Sequence, residues 1–291
     1  MGLNISILYR GDLSGCNYDC GYCPFAKRVD NKKRLKKDTE DLARFVNWVK
    51  AHPDGQFRII FTPWGEALIR KYYQRALCSL SHLPQVRRVS IQTNLSCKLG
   101  WIDGLKPDTA SLWCTFHPTE TSIKKFITKC ADLEAANIPY CVGTVGLRDN
   151  FSTIQALRTY LGKHVYLWIN AYKDEGADYY TQSEIKMLTK IDPYFPVNLK
   201  DYKSLGLPCR AGNTSISVDG DGNVRRCHFI SEIIGNLYDH SFETSLTPAP
   251  CTRNICDCHI GYVNMEELNL DAIFDGWALG RMRNVIFEHE Y

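Results

Sequence analysis

Ser14-Gly-Cys16-Asn-Tyr-Asp-Cys20-Gly-Tyr22-Cys23-Pro24 puts three cysteines within eight residues, spaced C-x3-C-x2-C. A tetrahedral zinc site wants four ligands, and a complete [4Fe-4S] cluster wants four thiolates. This loop offers three, and the next cysteine, Cys78, is far along the chain. Three thiolates can hold a four-iron cluster with one iron left open to a small molecule that brings its own amino and carboxylate groups. A zinc knuckle is the other reading of so short a motif, and the surrounding sequence has to separate the two.

Upstream, residues 4–9 (NISILY) read as a buried strand that feeds the loop. Downstream, Asp38 and Thr39 read as N-caps of a helix whose Leu42, Phe45, Val46 and Val49 share one face. Further strands are predicted at 56–62, 86–93, 110–116, 140–145 and 165–170. Helices are predicted over 67–80, 121–136, 153–161 and 183–189. Six strand–helix alternations over residues 4–190 call for parallel strands joined by helical crossovers. Periodicity does not separate a doubly wound sheet from a partial α/β barrel.

The loop spacing, with Tyr22 just before the third cysteine, resembles the signature of the radical S-adenosylmethionine (radical SAM) superfamily. The resemblance implies a partial (β/α)6 TIM-like barrel with the cluster loop after its first strand. It makes Cys16, Cys20 and Cys23 the catalytic cluster ligands and Tyr22 a neighbour of the cofactor. Phe61-Thr-Pro-Trp-Gly65-Glu66 resembles the family's glycine-glycine-glutamate motif, which binds the amino group of SAM, although Trp64 stands where the first glycine is usual. A carboxylate at a strand end can accept hydrogen bonds from an ammonium group, the role expected of Glu66 beside Gly65. Thr93-Asn94, Thr115, His117, Gly143 and Asn170 fall at or near later strand ends, where a parallel barrel places its active site. Asn94, Thr115, His117, Gly143 and Asn170 are therefore expected to contact SAM or substrate, against the plain alternative that polar residues close strands everywhere.

Past residue 195 the character changes. Pro193, Pro196 and Pro208 suggest a linker, and Asp219-Gly-Asp-Gly222 a tight turn between short strands. Cys209-x12-Gly222-x4-Cys227 resembles the opening of the auxiliary-cluster extensions called SPASM and twitch domains. Cys251, Cys256 and Cys258 follow, fewer than a full SPASM pattern needs. One auxiliary [4Fe-4S] cluster is expected, held by Cys209, Cys227 and two of the last three, with Cys251 plus one of Cys256 and Cys258 preferred. Five cysteines would also serve zinc. The expected division is a radical SAM barrel over 1–195 and a SPASM/twitch-like domain with C-terminal helices over 196–291, where Leu268, Leu270, Ile273 and Trp277 have helix-like spacing.

The 291 residues are 44% apolar and 23% charged, with a net charge of +3, so no polyanion partner is implied. Thirteen cysteines without a secretory signal argue against a disulfide framework and for a reducing, cytoplasmic location with no membrane span. Cys78, Cys97, Cys114, Cys130 and Cys141 read as small buried apolar residues. The function expected from the resemblance is reductive cleavage of SAM to a 5′-deoxyadenosyl radical, followed by hydrogen abstraction from a peptide or small metabolite. An auxiliary cluster would make the net change an oxidation, a dehydrogenation or a crosslink. The chain starts at its first strand, which leaves the choice between peptide and metabolite open. A flavodoxin or ferredoxin is the expected electron donor, met by Lys27, Arg28 and the basic run 32–37. A non-catalytic iron–sulfur carrier and a zinc-stapled nucleic-acid-binding protein are the alternatives. The six-fold repeat and Glu66 weigh against the first, the balanced charge against the second.

Overall fold

The computed structural model describes residues 2–281 except 26–27, 177, 240 and 275–276. Among these, six strands and five α-helices fill the first two thirds of the chain, alternating except between the third and fourth strands, which are joined through a 3-10 turn (Ile102–Gly104). These are β1 (Asn4–Arg10), α1 (Lys32–Ala51), β2 (Gln56–Phe61), α2 (Lys71–Ser81), β3 (Val86–Thr93), β4 (Ala110–Thr115), α3 (Ile123–Ala135), β5 (Tyr140–Val145), α4 (Phe151–Tyr160), β6 (Leu167–Asn170) and α5 (Gln182–Ile191). The strands pair in sequence order, all parallel. Short pieces follow: α6 (Phe195–Leu199), β7 (Tyr202–Lys203), β8 (Ser215–Asp219), β9 (Asn223–Arg225), β10 (Ile233–Asn236), β11 (Ile255–Cys256), α7 (His259–Tyr262) and α8 (Leu270–Ile273). A largely parallel mixed α/β sheet results, the expected partial-barrel arrangement.

The segment after residue 196 extends this sheet. β8 pairs parallel with β1 on the side away from β2, and β9 and β10 follow antiparallel, giving nine strands ordered β10-β9-β8-β1-β2-β3-β4-β5-β6. The predicted turn at 219–222 joins β8 to β9, with Gly222 at a φ of 85° that other residues rarely adopt. The linker expected from the prolines is instead packed. Pro196 sits in the first turn of α6, where its missing N–H costs nothing, and Phe195 is fully buried.

Strand periodicity divides the core. Ile5, Ile7 and Tyr9 of β1, Phe57, Ile59 and Phe61 of β2, and Leu112 and Cys114 of β4 face the helices, together with Leu42, Phe45 and Val49 of α1. The alternate positions Leu8, Ile60, Trp113, Cys141 and Trp168 point to the other face. There they meet Tyr262, Met265, Leu270, Phe274 and Trp277, so the C-terminal segment fills the inner face of the sheet. The helix-like spacing of 268–277 does not produce one helix: Asn269, at φ 42°, separates a 3-10 turn from the four-residue α8. The rest of that amphipathic stretch, 282–291, lies outside the described residues.

One helix start is corrected. α1 begins at Lys32, capped by the Asn31 side chain, which accepts from Arg34 N at 2.9 Å. Asp38 is not a cap. It is fully buried and accepts from Leu13 N and from the Tyr72 and Tyr73 hydroxyls. The basic run 32–37 therefore forms the first turns of α1. Among the described residues no helix is long and apolar enough to cross a membrane.

Candidate active site

Parallel pairing brings the C-terminal ends of β1 to β6 to one rim of the sheet. A cavity of about 380 Å³ opens there, lined by Arg10, Glu66, Asn94, Thr115, His117 and Asn170. Cys16, Cys20, Tyr22, Cys23 and Gly65 line the same cavity. Gly143 does not. The Trp168 ring of the next strand lies where a Cβ on Gly143 would be, so this glycine makes room for an indole.

The cysteine loop is held from three sides. Asp30, buried, accepts from Ser14 N (3.2 Å), Ser14 Oγ (3.0 Å) and Gly15 N (2.7 Å). Gly15 O accepts from Glu66 N at 3.1 Å, and a Cβ on Gly65 would collide with that same carbonyl oxygen. Asn94 Nδ2 donates to Asn17 Oδ1 (3.2 Å) and approaches Cys16 Sγ (3.8 Å). Cys20 Sγ and the Tyr22 hydroxyl both contact His117 Nδ1, at 3.3 and 3.0 Å. Burial lowers the His117 pKa to about 4, so the ring is neutral at neutral pH. Burial raises the Cys16 thiol and pushes Cys20 up to about 11.

Glu66 is 2% exposed and already bonded. Its Oε1 accepts from Leu68 N (2.8 Å) and Thr93 Oγ1 (2.9 Å), and its Oε2 from Asn94 N (2.5 Å). A carboxylate offers about four acceptor positions, so one remains for a ligand. Glu66 thus ties the β2 exit to the β3 exit and keeps an acceptor for the cavity. Thr115 Oγ1, also on the cavity wall, is buried with no hydrogen-bond partner among the described residues, as a site built for a polar ligand would leave it.

The C-terminal cysteines divide into four and one. Burial pushes the Cys256 thiol up to about 12, with Cys227, Cys251 and Cys209 adding to the shift. Burial pushes Cys227 up to about 11, with Cys209 and Cys251 contributing. Burial likewise raises Cys209, helped by Cys251. These four thiols sit within electrostatic reach of one another, and none is in a disulfide. Cys258 instead opens into the large cavity, with Arg10 and Arg281 among its charged neighbours. Among the described residues no three Cys, His, Asp or Glu side chains close on a single ion.

Residues that sequence reasoning passed over include Asp30, Arg10, Trp113, Trp168 and Arg281. Asp30 had no motif to mark it. The two tryptophans read as ordinary strand residues, and Arg281 lies 171 positions beyond the start of β4 (281 − 110), so only the folded chain brings them together.

The Asp30 clamp gives a direct prediction. Asp30→Ala leaves Ser14 N and Gly15 N unpaired, at a cost of about 1–3 kcal/mol. A lower melting temperature and reduced iron retention after anaerobic reconstitution are expected. Unchanged values in both would remove Asp30 from the site.

Comparison with known families gives a match of residues 13–109 to the model described as the radical SAM superfamily. Curated protein sequences give no match. Among solved structures, Streptococcus suis SuiB bound to its precursor peptide SuiA is 11% identical, with a TM-score of 0.58 over 85% of this chain and 65% of that one. The present chain thus spans just under two thirds of SuiB. Native anSMEcpe with bound AdoMet is 14% identical, with a TM-score of 0.57 over 95% of this chain and 88% of that one. AnSMEcpe with AdoMet and the Kp18Cys peptide gives 0.56 at 14% identity, over 84% and 80%. At these identities the likeness is one of fold.

Proposed function

We propose, from the match of residues 13–109 to the radical SAM superfamily model, an enzyme that cleaves SAM reductively and oxidises a peptide or small-metabolite substrate. The observation that supports this most is the convergence of Cys16, Cys20, Cys23, Glu66 and Asn94 on one cavity at the C-terminal rim of the parallel strands. When bound, a [4Fe-4S] cluster would supply the electron that splits SAM into methionine and a 5′-deoxyadenosyl radical. Cys16, Cys20 and Cys23 would hold that cluster. Three thiols without disulfide partners, on a loop anchored by Asp30 and Gly65, fit it. The free acceptor of Glu66 would receive the ammonium of SAM. Thr115 Oγ1 and Asn170 would bond to other polar groups of SAM or substrate.

Cys209, Cys227, Cys251 and Cys256 would hold the auxiliary cluster, a choice favoured by their mutual proximity and by Cys258 facing elsewhere. Four thiols, those of Cys209 and Cys256 buried and those of Cys227 and Cys251 half-buried, are a soft donor set suited to iron–sulfur ligation. Held there, the cluster would supply an electron acceptor, so that loss of a hydrogen atom, an electron and a proton from the substrate would amount to a two-electron oxidation. A bare electron carrier would have no use for a cavity of this size or for the Glu66 anchor.

Glu66→Gln tests the SAM assignment. The amide retains one carbonyl acceptor but loses the charge, so SAM affinity should fall about tenfold or more, in line with about 1.5–3 kcal/mol for a charge-assisted hydrogen bond. Iron content should hold. An unchanged SAM affinity would leave Glu66 as a tie between β2 and β3 alone.

The donor surface is narrower than the basic run suggests. Lys37 is paired with Asp12, Asp41 and Asp221, Lys36 with Glu40, and Arg34 bonds Ser14 Oγ. Arg28, Lys32 and Lys33 are left to meet an acidic flavodoxin or ferredoxin, while Lys27 lies outside the described residues. Reduction by such a donor should slow as salt rises. A rate indifferent to ionic strength would reject this surface.

A further inference from the structure

Arg281 is 4% exposed, yet it lines the cavity. Its guanidinium carbon lies 4.3 Å from the Trp168 ring centroid and 5.1 Å from that of Trp113. The two indoles meet edge to face at 5.3 Å, and Gly143 provides the space that lets Trp168 stand there. Ring faces attract a cation but leave the N–H edge of a guanidinium free to bond. Among the described residues no hydrogen bond or ion pair takes up that edge. The buried acid Asp192 contributes its field but is committed to Tyr166 Oη, Ile169 N and Tyr194 N. A buried guanidinium without a bonded anion is costly, and a binding site is one reason to keep it.

We propose that Arg281 binds the carboxylate of the substrate, so that the substrate is a carboxylic acid held by that group on the inner face of the sheet. A planar guanidinium pairs with a carboxylate through two parallel N–H···O bonds, which fixes orientation as well as position. Arg10, across Cys258, adds positive potential. Its own bonds go to Thr62 O and His228 Nε2, and it stacks 4.1 Å from the Trp64 centroid, so it assists without being the anchor. A monoanion fits better than a phosphate dianion, because only one guanidinium edge is unengaged. The inference rests on the cavity being the substrate site of the proposed radical chemistry.

The test is binding to the reconstituted holoenzyme, read by calorimetry and by emission from Trp113 and Trp168. The probes are N-acetyl-Gly-Ala, its C-terminal amide, phosphoserine and SAM. The free acid should bind at least about tenfold more tightly than the amide, one charge-assisted contact. Arg281→Gln should abolish that preference and Arg281→Lys retain part of it, with SAM affinity unchanged in both. Equal binding of acid and amide by the unaltered protein overturns the proposal whether or not the variants fold. So does a tenfold loss of SAM affinity in Arg281→Gln, which would give the guanidinium to the SAM carboxylate, and so does a preference for phosphoserine. A protein that shows the acid preference but never forms 5′-deoxyadenosine would keep the carboxylate site at Arg281 and lose the radical SAM reading.

Discussion

Cys20→Ala is expected to abolish 5′-deoxyadenosine formation and to remove the iron bound at the first loop. Cys20 is 4% exposed, so the thiol it contributes is fixed by the fold rather than by a mobile surface loop. With it gone, the loop offers Cys16 and Cys23 alone. The nearest other donor, His117 Nδ1, already bonds the Tyr22 hydroxyl. The nearby Cys97 is buried among apolar side chains on the helix-facing side of the sheet. Groups that only orient metal ligands cost about 10–100-fold when lost, so loss of a ligand should exceed that. The measurement is 5′-deoxyadenosine released from SAM with dithionite, alongside iron and sulfide content. Retained cleavage in Cys20→Ala would sink the assignment of the loop.

The double change Cys209→Ala, Cys227→Ala should lower iron from about eight to about four per chain, the difference of one four-iron cluster. SAM cleavage should survive it, since the first loop is elsewhere, while substrate oxidation should fail. The five C-terminal cysteines are separable by single changes. Cys251→Ala and Cys256→Ala should each lose the second cluster, because their thiols sit with those of Cys209 and Cys227. Cys258→Ala should keep about eight irons, because its thiol faces the large cavity. A drop to about four in Cys258→Ala, with Cys256→Ala unaffected, would reverse that choice. Zinc in the purified protein, with iron near four from the start, would replace the auxiliary cluster altogether.

How far a sequence can be read depends on the range of the interaction that encodes each feature. The six parallel strands and five helices were legible because hydrophobic period and turn residues are local. β3 and β5 fall on the predicted bounds, and the helix ends shift by a few residues. The start of α1 was misplaced because Asp38 looks like a cap in sequence, while its real partners, Leu13, Tyr72 and Tyr73, come from two other segments. The first cysteine loop was legible because all of its thiols fall within eight residues.

Other features exist only once distant segments meet. Adjacency of β8 to β1 comes from pairing across about 200 residues, which no local pattern records. Cys256 and Cys258 are equivalent as letters two positions apart. One lies in β11, paired with β7 and within electrostatic reach of three other thiols, and the other precedes α7 and opens on the cavity. Arg281 and its two indoles are likewise ordinary residues in sequence, and packing of the C-terminal segment against the inner face of the sheet brings them together on the cavity wall. Local chemistry therefore determined the sheet, its helices and the three-thiol loop. Tertiary packing decided which cysteines lie near one another and which charge lines the cavity, because burial and long-range contact set those placements and neither is written in neighbouring residues.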